Sequence, residues 1–592
     1  MPKNFRYFFV LSLSFFCTFF LNVSADAAVI TWDNEGGDSN WSTCANWTTD
    51  SCPGSADVAT FDATSDTAST IDAGFAGSVL GVDLNTGYNS TVTQAAATTL
   101  LIGDTDLDIA AGAVTMAADG VFNINDDFIM TAGTFNAGGT IYLRDDWTHT
   151  VGGTFNHSNG TVVFDEASDT TMNVNTTETF YNFTLNKDGV FYLSLSSGDS
   201  AVVVNLLTLT NGRLIEGGGT SRLKPQGDVV VASTIDSNTL QLEFTGSGDQ
   251  NFDLTGAEGL IDASVTVNKS GGTLTMLSAL TLDSIGQDFL LQSGSFDPNG
   301  NALSVVDQFN VSGGTYLSNA ATLDINGDFT LSGGTFNAPT TTMYLEDDWT
   351  HTAGGTYNHS NGTIVFDGAQ DTTINVATNE TFYNLTIDKT TNWQVIVSLG
   401  DSLTVTNQTD LLDGRLQQGG TTSRLHPLSN LLIHPDFDGG SLHIEFTGTN
   451  AQNFDLTGAE SIFDGLITIN KTSGAVTLLS DLTLNASGQD LTIASGTLDP
   501  NGNAVTVEDQ FLVSGGVYAS GAGTLTVNND VIISAGTFNA PTTTMYLFDD
   551  WTHTAGGTFN HNDGVVEVFS ASDSSFNFDS GLVTSGLFSS FT

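Results

Sequence analysis

A unit of 202 residues recurs along this chain, and that recurrence limits the fold more than any single motif does. "YLRDDWTHTVGGTFNHSNGTVVF" carries Trp147, "YLEDDWTHTAGGTYNHSNGTIVF" carries Trp349 and "YLFDDWTHTAGGTFNHNDGVVEVF" carries Trp551, so successive tryptophans lie 202 residues apart. "EFTGSGDQNFDLTGAEGLID", from Glu243, returns at the same step as "EFTGTNAQNFDLTGAESIFD", from Glu445. A shorter period lies inside the unit. Stacking 301–320, 321–340 and 341–361 aligns Leu303, Leu323, Met343 and Ile364 in one column, and Val305, Ile325, Leu345 and Phe366 in the next. Further columns hold Phe309, Phe329 and Trp349; Val311, Leu331 and His351; and Tyr316, Phe336 and Tyr357. Each step is roughly 20 residues, and periods of this size mark repeat architectures.

Within each line apolar and polar residues alternate, as in Leu303-Ser304-Val305, which is the period of a strand with one buried face. Gly- and Asn-containing turns separate three short strands per line and leave no room for a crossover helix. These features predict an all-β chain, a right-handed parallel β-helix (β-solenoid) with coils of about 20–22 residues. Like side chains would stack at roughly 4.8 Å, so residues 100–580 would make a rod on the order of 100 Å long. A string of antiparallel sandwiches is the competing arrangement, but it would place strict copies in unlike environments. The expected division is a signal peptide at 1–27, a cap with the first coils at 28–98, solenoid units at 99–300 and 301–502, and a partial third unit at 503–592.

Composition narrows the function. With 66 acidic and 12 basic residues, the net charge is −54. A nucleic-acid binder needs clustered Lys and Arg, so nucleic acid is excluded as a partner. The 39 Phe and the regular apolar alternation exclude an acidic disordered tail. Lys3 and Arg6, the apolar run Tyr7 to Leu21, and Ala25 and Ala27 at the cleavage positions describe a secretory leader, with Ala28 as the mature N-terminus. No later segment is apolar enough for a transmembrane span. The expected location is therefore the cell surface or the extracellular space. Outside the cytosol, Cys44 and Cys52 should form a disulfide, with a metal or redox pair as the alternative. The segment "ITWDNEGGDSNWSTCANWTTDSCPGSADVATFD" reads as a cap that shields the first strand edges. Its Trp32, Trp41 and Trp47 are also candidates for a carbohydrate-binding aromatic cluster.

The runs "GTVVFDEASDTTMNV…ETFYNFTL" (Gly160 to Leu185) and "GTIVFDGAQDTTINV…ETFYNLTI" (Gly362 to Ile387) resemble coils of large secreted bacterial β-helical surface proteins. These are the adhesin-like proteins, including autotransporter passengers and filamentous-haemagglutinin-type repeats. The resemblance covers most of the mature chain and implies surface display, with cell-surface or extracellular glycans or proteins as partners. It brings no catalytic residue. The terminal barrel and sorting signal of such proteins are not found here, which is the pattern expected of a fragment of a longer protein.

The motif "DDWTH" supplies Asp145, Asp146 and His149; Asp347, Asp348 and His351; and Asp549, Asp550 and His553. Paired carboxylates beside a histidine suit acid–base work or metal binding. The columns, however, turn Trp349 and His351 inward, and the threefold copying favours a structural part over a single asymmetric active site. The turn aspartates are weak metal candidates, with calcium as the cation they would take. "GDTDLD" (Asp104, Asp106, Asp108) begins like a calcium loop but has Ile109 where the turn needs Gly. The basic residues Arg213 and Arg415, Arg222 and Arg424, and Lys269 and Lys471 are also repeat copies. The sequence therefore predicts a non-catalytic adhesive or spacer rod, with glycan binding by outward Thr, Asn and Ser ladders. The alternative is a secreted polysaccharide lyase or glycoside hydrolase on the same scaffold.

Overall fold

Short apolar strands with one buried face each need a neighbouring coil to cover them, and the computed structural model winds them accordingly. It describes residues 27–318, 320–390, 392–459, 463–519, 521–569, 574–578 and 590–591. The proposed leader, 1–27, lies outside the described residues except for Ala27. The chain forms a parallel β-solenoid of about 23 turns. The only helical elements among the described residues are two short 3-10 turns, Cys44–Asn46 and Thr48–Asp50. At roughly 4.8 Å per turn, the stack rises about 110 Å.

The columns read from the sequence are the observed ladders. Leu303 pairs with Leu323, Leu323 with Met343 and Met343 with Ile364. Phe309, Phe329 and Trp349 stack likewise, as do Tyr316, Phe336 and Tyr357. Each coil of this stretch has three strands, for example Leu323–Ile325, Phe329–Leu331 and Thr335–Asn337. Their side chains alternate between the core and the outside. Rings add face contacts along the axis: Phe329 and Trp349 stack at 4.4 Å, and Phe128 and Trp147 at 4.1 Å. One apolar core runs from Trp32 to Val566. It crosses the sequence boundary at 300/301 without interruption, because Phe289–Asp297 pairs with Phe309–Val311.

The coil length expected from the sequence lines does not hold throughout. Val121 pairs with Thr140 across a short coil, whereas Trp349 pairs with Ile374 across a long one. The first pairing, Ala28 with Asp57, spans a longer stretch still, because the cap lies between them. After Trp349, most of the added length lies in the corner 367–371 and in a longer next strand, Thr372–Val376.

The turn glycines are required by space as well as by conformation. Gly314 and Gly334 have φ of +67° and +66° and sit one above the other. A Cβ on Gly334 would lie 2.4 Å from the Gly314 carbonyl oxygen, so no side chain fits.

At the N-terminal end Cys44 is bonded to Cys52, the expected disulfide. Trp32, Trp41, Trp47 and Phe61 pack at 5.1–6.0 Å, mostly edge to face.

Candidate functional site

The tryptophan cluster of the cap is no sugar platform, which corrects that candidate assignment. Trp32, Trp41 and Trp47 are at most 1% exposed. Their indole N–H groups already donate, to Thr67 Oγ1, Ser69 Oγ and the Trp41 carbonyl oxygen, each at 3.1 Å. Their faces close the end of the core and offer no surface to a ligand.

The DDWTH segment splits into two environments. Trp147, Trp349 and Trp551 point into the core and are fully buried. The histidines lie on the same strands, two residues on, and meet a partner that the motif does not contain. His149 Nδ1 lies 2.6 Å from Glu178 Oε2, and His351 Nδ1 lies 2.6 Å from Glu380 Oε2. These glutamates are almost wholly buried. The hydrogen bond to the carboxylate raises both histidine pKa values above the ordinary range, against the opposing effect of burial. Motif reading missed Glu178 and Glu380 because they lie far downstream of the motif, beyond one enlarged coil. The available signal was "TETF" and "NETF", where a Glu occupies an inward register position. In the third copy, His553 Nε2 bonds the Gly557 carbonyl oxygen at 3.1 Å, and Nδ1 has no partner among the described residues.

The aspartates of the motif remain at the corner, where they join a carboxylate of the preceding coil. Asp145 and Asp146 gather with Asp127, Asp347 and Asp348 with Asp328, and Asp549 and Asp550 with Asp530. Asp106 of the "GDTDLD" run joins Asp126 and Asp127 in the same way, while Asp104 and Asp108 are not in that group. None of these groups includes a histidine, so the Asp–Asp–His constellation considered for acid–base chemistry is not assembled. One oxygen of the preceding-coil aspartate and one of the second motif aspartate are also committed to backbone in the first two copies. Asp127 Oδ1 accepts from the Asp146 amide at 2.9 Å, and Asp146 Oδ1 accepts from the Thr171 amide at 2.6 Å. Burial, with like charges beside it, pushes Asp127 up to about 6. Oxygen-only groups of this kind suit a hard cation such as calcium. Their observed hydrogen bonds make them corner formers.

The repeated lysines are interior parts. Lys187, Lys269, Lys389 and Lys471 are at most 1% exposed. Lys389 Nζ donates to the Glu346 carbonyl oxygen at 2.6 Å, and Lys471 Nζ to the Thr447 carbonyl oxygen at 3.1 Å. Burial lowers Lys389 to about 8. The outward asparagines largely serve one another: Asn358 Nδ2 donates to Asn337 Oδ1 at 2.8 Å, and Asn560 Nδ2 to Asn539 Oδ1 at 2.7 Å.

No protein family, curated protein or solved structure with which the chain was compared matches it. No helix among the described residues is long and apolar enough to cross a membrane.

Proposed function

We propose that this chain is an exported, non-catalytic rod of the cell surface or extracellular space, acting as an adhesive or spacer element. The observation that carries the reading is the uninterrupted core from Trp32 to Val566, built from coils in register. Such a stack converts chain length into reach. The likeness of its repeats to coils of bacterial β-helical surface proteins supports the same role, and so does the leader-like sequence. The net charge of −54 opposes side-by-side association of long β-faces. The polysaccharide-cleaving alternative draws no support from the site geometry: the second aspartate of each motif holds a corner amide and the repeated lysines are enclosed.

The test is localisation in the cells that make the protein. Protease added to intact cells should remove it, or the medium should contain it, with Ala28 as the first residue. Protein retained in the cytoplasm with its leader still attached would overturn the proposal.

A further inference from the structure

Six of the seven tryptophans are enclosed, at 0–1% exposure, and Trp393 alone stands out at 40%. It lines an open cleft of about 460 Å³ with Asp371, Asn392, Gln394 and Arg415. The cleft borders the enlarged corner 367–371, and register places Arg415 directly over Gln394 on the next coil. Gln394 is held in place. Its backbone amide donates to Asp371 Oδ1 at 3.2 Å, and its Nε2 donates to Asp371 Oδ2 at 3.1 Å.

The equivalent place one unit earlier shows what is unusual here. There Arg213 pairs with Asp236 at 3.7 Å, and Phe191 and Tyr192 stand where Trp393 and Gln394 do. In the second unit the equivalent Asp438 turns to the Asn392 amide, at 2.5 Å. Arg415 then forms no ion pair among the described residues, and its buried Nε has no hydrogen-bond partner.

The geometry points to Asp371, Trp393, Gln394 and Arg415 as a subsite for a neutral pyranose unit of a glycan chain. The exposed indole face is electron-rich and receives the C–H face of a sugar ring. The remaining lone pairs of the Asp371 carboxylate and the Gln394 side-chain oxygen supply acceptors, and the terminal nitrogens of Arg415, which lines the cleft and forms no ion pair among the described residues, supply donors for equatorial hydroxyls. Asp371, Asp438 and the overall charge disfavour an acidic sugar. This inference rests on the adhesive reading and names its ligand class.

The test uses the full mature chain with neutral hexasaccharides of β-1,4-glucose, α-1,4-glucose and β-1,4-N-acetylglucosamine, and with hexagalacturonate as the acidic probe. Because only Trp393 is exposed, acrylamide quenching reads this cleft directly, and calorimetry gives the affinity. We expect at least one neutral probe to shield the quenchable fluorescence. Trp393→Ala should abolish that binding and Arg415→Gln should weaken it about tenfold or more, while both variants keep the parent melting temperature. No shielding by any neutral probe at millimolar concentration, binding that survives Trp393→Ala, or binding of hexagalacturonate alone would each overturn the assignment. Scattering dimensions and cell-surface location are measured separately, so failure here leaves a spacer rod intact.

Discussion

Glu178 and Glu380 are carboxylates in a position otherwise reserved for apolar side chains, and His149 and His351 make them tolerable. The histidine pKa values are raised in the folded state, so their contribution is fully present below the unfolded value and is lost as pH rises through the folded one. Asp127 and Asp367 act in the same direction. Burial raises each to about 6, so the folded chain holds protons that the unfolded chain has released, and stability falls as pH climbs through that value. His426 and His443 act the other way below about pH 6.5, because burial lowers them and stability rises as the unfolded chain loses its protons. The melting temperature should therefore decline from about pH 6.5 to about pH 7.5, where the raised histidines release their protons; a rise over that window would contradict the assignment. Glu380→Gln removes the charged acceptor. It should cost about 1.5–3 kcal/mol at acidic pH, where His351 is protonated, and clearly less at alkaline pH. Denaturant melts at the two pH values give the difference directly.

Strands and corners show where sequence reading succeeds and where it stops. The columns through Leu303, Phe309 and Tyr316 were legible because a line of constant length repeats there without insertion, so counting alone recovers the register. Counting failed after Trp349, where the corner 367–371 lengthens the coil, sets Ile374 over Trp349 and hides the His351–Glu380 contact. The cap tryptophans were ambiguous for a different reason: an aromatic cluster reads the same whether it closes a core or faces a sugar. Only packing decides, and here all three are inside. The Trp393 cleft escaped notice because its signal is a difference between copies, with Phe191 and Tyr192 in one and Trp393 and Gln394 in the other. Corners also carry the sharpest stability test. Gly334→Ala must adopt a left-handed backbone against the Gly314 carbonyl, at a cost of about 1–3 kcal/mol. An unchanged midpoint in urea would mean that the stacked glycines are dispensable.

Over the whole molecule, the parallel register predicts shape. A stack of about 23 turns should give a radius of gyration near about 33 Å in solution scattering, against about 25 Å for a compact body of this length. The lower value would contradict a continuous rod. The enclosed lysines have a further consequence for the exterior. Removal of residues 1–27 would leave five lysines, and four of them are shut inside. Lys224 is left as the one partly accessible ε-amine, already engaged with Glu243 at 3.4 Å. Amine-directed labels and crosslinkers would find almost no handle along the shaft, so covalent tethering to a bead or a sensor would fall mainly on the α-amine and hold the molecule by its capped end.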